Sequence, residues 1–177
     1  MNARTITLAG IFAAVIAVIA PLSIPLPIVP ITMQTLIIPL IATISVMRIS
    51  GWATGLYLIL GAVGIPVFAN WSGGVGLLFG PTGGYLWGML LFPLIIGEIL
   101  KTKRNWFTIV GSNLLAAFVQ LLFGTIWLIV ATGLPIEKGL MTGFIVFIIP
   151  TLLKVAIVVL LAYLIGKSVK IPLSGTK

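Results

Sequence analysis

The chain has 177 residues, of which 60% are hydrophobic and only 7% charged, with ten Lys and Arg against two acids for a formal charge of +8. A soluble domain carries about a quarter charged residues, so this composition excludes a surface suited to water and makes lipid the solvent. Cys and His are absent, which excludes disulfides, thiolate chemistry and the commonest metal ligand and proton shuttle.

Backbone groups in lipid are satisfied only by helices or a closed barrel. A barrel alternates apolar and polar residues in short segments, whereas the apolar runs here have the length of membrane-spanning helices, about 18 to 25 residues. The expectation is an all-α integral membrane protein, one domain over residues 1–177, with six transmembrane helices at roughly 5–22, 31–47, 52–69, 79–100, 106–132 and 140–166.

The first span reads "LAGIFAAVIAVIA". Ala9, Ala13 and Ala17 form a small-xxx-small row, with Gly10 and Ala14 beside it. Such rows let a second helix approach closely, either inside the bundle or from another subunit. Arg4 followed by an apolar stretch ending at Pro21 has the outline of a signal peptide. Proline directly after the cleavage position argues for a retained helix.

"PLSIPLPIVPIT", Pro21 to Thr32, joins spans one and two. Its four prolines forbid a continued helix, since each removes a donor and fixes φ. A stiff connector and a wall over a pocket are both open readings. Gly61 to Gly88, "GAVGIPVFANWSGGVGLLFGPTGGYLWG", is rich in glycine and aromatic residues. Interfacial anchoring explains Trp71. It does not explain "GPTGGYLWG", because irregular backbone at membrane depth is tolerated where it lines a cavity or is buried in protein.

Positive charge sorts by loop. Arg4 precedes span one, Arg48 separates spans two and three, Lys101, Lys103 and Arg104 separate spans four and five, and Lys167, Lys170 and Lys177 follow span six. The loops after spans one and three are uncharged, and the loop after span five holds only Glu137 and Lys138. Positive-inside bias therefore puts both termini in the cytoplasm. This scatter along the chain is no nucleic-acid face.

Span six carries a charge of its own in "IIPTLLKVAIVVLLAYLIG". Lys154 precedes Gly166 by twelve residues, about 18 Å from the inner end, too deep to reach cytoplasmic water. An intramembrane lysine costs on the order of 3 kcal/mol and marks a functional candidate. No acid stands near it in the pattern, so its ammonium awaits an anion. Thr151 shares its helix face one turn earlier, and Pro150 is expected to open the helix just before.

No G-x-x-x-x-G-K-[ST] phosphate loop, carboxylate pair, nucleophile–base pair or metal cluster occurs. The residues describe a non-enzyme with an outward-facing pocket for a small anion, needing neither cofactor nor metal. A self-sufficient secondary carrier or a purely structural subunit are the rival classes.

"AGIFAA", "IPLPIVPITMQTL", the glycine-rich block and the late "TLLK" resemble, in order and across essentially the whole chain, the BioY family, the biotin-binding S components of energy-coupling factor (ECF) vitamin transporters. The resemblance implies an S-component fold in a prokaryotic cell membrane. It also implies partners, namely a transmembrane scaffold subunit and two cytoplasmic ATPases. Ala9 and Ala13 match the family's scaffold-docking row, and Ala17 extends it. Lys154 matches the site lysine, the anchor for a carboxylate. Thr151 stands where the family usually carries Asp, Ser72 where some members carry Asn, and Leu86 where some carry Arg. Gln34, Phe68, Gly83, Gly84 and Tyr85 complete the expected binding set, with Phe79 as a further apolar neighbour. A buried ligand N–H without an acceptor costs about 1–3 kcal/mol, roughly ten- to a hundredfold in affinity. The resemblance ranks biotin first, and the missing Asp keeps lipoate, whose ring has no N–H donors, as the alternative acidic vitamin.

Overall fold

The computed structural model describes residues 2–168. Lys170 and Lys177 of the charge pattern, with the side chain of Lys167, lie outside the described residues.

Helix α1 (Ala3–Ile19) leads into a two-residue antiparallel ladder, β1 (Ser23–Ile24) with β2 (Ile31–Thr32). Then come α2 (Gln34–Ile44), α3 (Met47–Ala62), the short α4 (Gly76–Phe79) and α5 (Gly83–Gly88), α6 (Leu91–Thr102) and α7 (Trp106–Thr132). The last run is α8 (Ile136–Leu140), a π-helical segment (Met141–Ile145) and α9 (Val146–Ser168). Three stretches are long and apolar enough to cross a membrane, Gly83–Thr102, Trp106–Thr132 and Ile136–Gly166.

Local chemistry accounts for the boundaries. The expected span 31–47 loses its first residues to β2 (Ile31–Thr32) and becomes α2. The span expected over 52–69 begins earlier, at Met47, and stops at Ala62, where Gly64 takes a φ of +100° that other residues avoid. Helix α7 opens on a reciprocal cap. Asn105 Oδ1 accepts from Thr108 N at 2.8 Å, and Thr108 Oγ1 accepts from Asn105 N at 2.9 Å. It closes on left-handed Gly133, φ +66°. Pro150 does not open a helix as expected. It lies inside α9, and the preceding π turn, rather than a helix start, marks the irregular backbone.

The chain runs back and forth between two ends. At one end the proline hairpin and the 63–82 loop are tied together. Asn70 N donates to Pro21 O at 3.1 Å and to Ser23 Oγ at 3.0 Å, while Ser23 Oγ donates to Asn70 Oδ1 at 2.8 Å. At the other end Arg104 reaches the carbonyl of Thr43, near the last turn of α2. That turn has no further helical amide to satisfy its carbonyls. Burial lowers the pKa of the Arg104 guanidinium, and the negative end of the helix dipole favours the cation there.

Helix α2 is the central post, with nine residues including Gln34, Pro39 and Thr43 buried. Helix α1 lies on α3 with Ala9, Ala13 and Ile16 turned inward. This corrects the expected docking row. Ala9 is 1% and Ala13 3% exposed, so both serve close packing within the bundle, and Ala17 is half-buried against the core. Beside that row, Gly10 and Ala14 are left exposed on the outer face of α1.

The apolar interior forms two clusters. The larger joins residues of α1, α2, α3, α5, α6, α7 and α9. The smaller gathers Val29, Tyr85, Leu121, Leu128 and Phe147. A cleft opens where they meet.

Candidate functional site

The cleft spans about 650 Å³ of empty space, its solvent-open mouth included. Helix α2 supplies Gln34 and Thr35, α5 supplies Tyr85 and Leu86, α7 supplies Gln120 and Leu121, and α9 supplies Phe147, Thr151 and Lys154. The proline hairpin adds Val29, Pro30 and Thr32, and the glycine-rich loop adds Phe68, Ala69, Ser72, Leu77 and Thr82. The proline segment is therefore a wall of the cavity, the second of its two readings.

Lys154 Nζ donates to Thr32 O at 2.6 Å and to Thr35 Oγ1 at 2.8 Å. An ammonium has three donors, so one is left for the cleft. Among the described residues the one ion pair is Lys101–Glu98, on the exposed surface. Lys154 thus has neutral partners only, the arrangement that favours an incoming anion. The Thr151 hydroxyl, one turn earlier, faces the same cavity and bonds no other described residue.

Beside it Gln34 is held in a fixed pose. Its Oε1 accepts from Thr32 Oγ1 at 3.0 Å, and its Nε2 donates to the Tyr57 hydroxyl, which donates to Val67 O at 3.1 Å. Phe68 stands edge-on to Tyr57 with ring centroids 5.7 Å apart. Its ring occupies the space that a Cβ on Gly61 would need. Ser72 spends its donor on Ala69 O at 2.6 Å and keeps its lone pairs for the cavity.

On the facing wall Tyr85 donates to Gly143 O at 2.8 Å and lies 3.1 Å from Thr125 Oγ1. That carbonyl belongs to the π segment, where the ladder of helical bonds is displaced. A Cβ at Gly124 or Gly143 would collide with the Tyr85 ring or its hydroxyl. The fold thus gives up side chains at two positions to seat one tyrosine.

Seven of the sequence-derived binding residues meet here: Lys154, Thr151, Ser72, Tyr85, Leu86, Phe68 and Gln34. Gly83 and Gly84 do not line the cavity. A Cβ on Gly84 would strike the Trp127 side chain and one on Gly83 the Leu78 carbonyl, so both serve close packing of the turn into α5. Phe79 is 66% exposed and stands outside the lining. "FGPTGGYLWG" therefore contributes Thr82, Tyr85 and Leu86, while its glycines let the turn fit.

Sequence reasoning missed Gln120, Thr32, Thr35, Met89 and Phe147. Gln120 had a usable signal, an amide in the middle of the 27-residue apolar helix α7, since polar groups inside membranes are costly and functional. The others carry no comparable mark.

The model of the BioY family matches residues 1–171. The chain is 38% identical to the biotin transporter BioY2 of Lactococcus lactis subsp. cremoris, over 87% of this chain and 85% of that protein. It is 35% identical to the biotin transporter BioY of Thermotoga maritima, over 93% and 96% of the two chains. A crystal structure of the S-component for biotin from an ECF-type ABC transporter superposes with a TM-score of 0.84 at 27% identity, covering 94% of this chain and 95% of that one. On the breadth of the match and the shared fold, this chain belongs to the BioY family.

Proposed function

We propose that this chain is the S component of an ECF-type importer, capturing biotin for uptake driven by separate ATPase subunits. The observation that carries the reading is Lys154, an ammonium with neutral partners only, set in the wall of a largely apolar cavity. A small acid with an apolar body fits that chemistry. The carboxylate pairs with Nζ, and the valerate chain and sulfur ring lie against Leu86, Met89, Leu121 and Phe147. The ureido ring meets the hydroxyls and amides. The relatives reported above carry biotin in their names, and the lipoate alternative gains nothing from them.

Arg48, Lys101, Lys103 and Arg104 lie at the end away from the cleft. Positive-inside bias then places that end and both termini in the cytoplasm, with six crossings and a cavity opening outward. The chain has no phosphate-binding loop of its own, so a transmembrane scaffold and two ATPases supply the energy. With Ala9 and Ala13 buried, the docking face on α1 is the outer row of Gly10 and Ala14. A Cβ at Gly10 meets nothing within 4 Å, so Gly10→Leu leaves the fold unstrained. Combined with Ala14→Leu, it abolishes uptake and leaves binding intact. Equal loss of both would remove the docking role.

The deciding experiment titrates biotin into the purified chain in detergent, wild type beside Lys154→Ala. Tight binding by the wild type that the variant loses is the expected result. Absence of binding by the wild type, or equal binding by both, overturns the reading. Net uptake by the chain alone would instead make it a secondary carrier.

A further inference from the structure

Thr151, one turn before Lys154, offers the cavity a hydroxyl rather than a dedicated acceptor. From the geometry we infer that Gln120, on the opposite wall, supplies the acceptor for the N–H groups of the ligand's ring and sets the preference for a ureido ring. This inference rests on the biotin reading above and deepens it.

Gln120 is 3% exposed and lines the cavity. Its Nε2 donates to Tyr85 O at 3.2 Å. That carbonyl needs a donor because α5 breaks at Met89, whose N–H turns to Leu86 O. The bond sets the amide's orientation, since the flipped amide would face one oxygen with another. Gly88 leaves room for the stem, as a Cβ there would lie 3.1 Å from Gln120 Cγ. The amide oxygen bonds no described residue. Among the described residues no side-chain oxygen or nitrogen is both sealed from solvent and unpartnered, so Gln120 Oε1 opens into the cavity. An amide oxygen is an acceptor with two lone pairs and no competing donor role, unlike the hydroxyls of Thr151 and Thr82.

Position supports the assignment. Lys154 and Thr151 stand on α9, tied to the hairpin and α2. Gln120 stands on α7, tied to α5. A ligand whose carboxylate is held at Lys154 extends its ring toward the other wall, where Gln120 waits.

A merely structural Gln120, present only for the Tyr85 carbonyl, would alter stability without altering selectivity. The test therefore measures discrimination. Biotin and biotin methylated on its ring nitrogens are titrated into wild type and Gln120→Leu in detergent. The wild type is expected to prefer biotin. Gln120→Leu is expected to lose about ten- to a hundredfold in biotin affinity, with the preference collapsing. Undiminished biotin binding by the variant overturns the inference and leaves the biotin reading standing, as does weaker binding with the preference intact. Failure of the wild type to bind biotin overturns both. Should the leucine variant not fold, Gln120→Met, of equal length and without the acceptor, answers the same question.

Discussion

The two walls of the cleft are built on opposite plans. The α2–α9 wall holds a charge, with the Lys154 ammonium donating to the hairpin carbonyl of Thr32 and to the Thr35 hydroxyl. The α5–α7 wall is neutral, and its polar groups lock one another. Tyr85 is bonded to Gly143 and touches Thr125, and Gln120 is bonded to Tyr85. A charge acts on any anion and is indifferent to the rest of the ligand. An oriented neutral acceptor reads one group in one place. On the function proposed above, capture strength is concentrated on one side and selectivity on the other.

Breaking the charged wall has the largest effect. Removing one partner of a buried, hydrogen-bonded charge pair costs about 2–5 kcal/mol, so Lys154→Ala lowers biotin affinity by roughly thirty- to several thousandfold, read by titration calorimetry. The loss extends to every carboxylate ligand, and a loss confined to biotin would contradict the division between walls. On the neutral wall, Gly124→Ala drives a methyl group into the Tyr85 ring. Such overpacking costs about 1–3 kcal/mol, and the expected result is a lower Tm with weaker binding. An unchanged Tm would mean that Tyr85 moves freely. Tyr85→Phe keeps the ring and removes the hydroxyl from Gly143 O and Thr125. About 1 kcal/mol of stability goes with it by chemical denaturation, with biotin affinity less affected than in Gly124→Ala. Arg104→Ala, remote from both walls, has the smallest effect. It removes a cation from the carboxyl end of α2, about 0.3–1 kcal/mol, and leaves ligand preference unchanged. A change in preference would show that α2 transmits strain to the cleft.

The same contrast governs what could be read in advance. Lys154 was conspicuous because a charge in an apolar run has no ordinary structural use. Gln120 bears no charge, and an amide within an apolar helix signals a polar site without showing which surface it faces. The small residues of α1 show a second limit. Composition marks Ala9, Ala13, Gly10 and Ala14 alike as fit for close approach, yet it leaves open which of two adjacent rows meets α3. Packing buried Ala9 and Ala13, and a rotation of about 100° per residue sends the neighbouring row outward.

By itself the sequence determined the helical membrane character, the family resemblance, the charge within span six and the two irregular loops. Each of these follows from quantities that add along the chain, such as hydropathy, charge and the backbone limits of proline and glycine. Tertiary structure alone decided that the proline hairpin forms a wall and that Gly83 and Gly84 serve packing rather than the cavity. It also decided that Gln120 completes the cleft. Those outcomes depend on which surfaces meet, and contacts between residues far apart in the chain have no local signature.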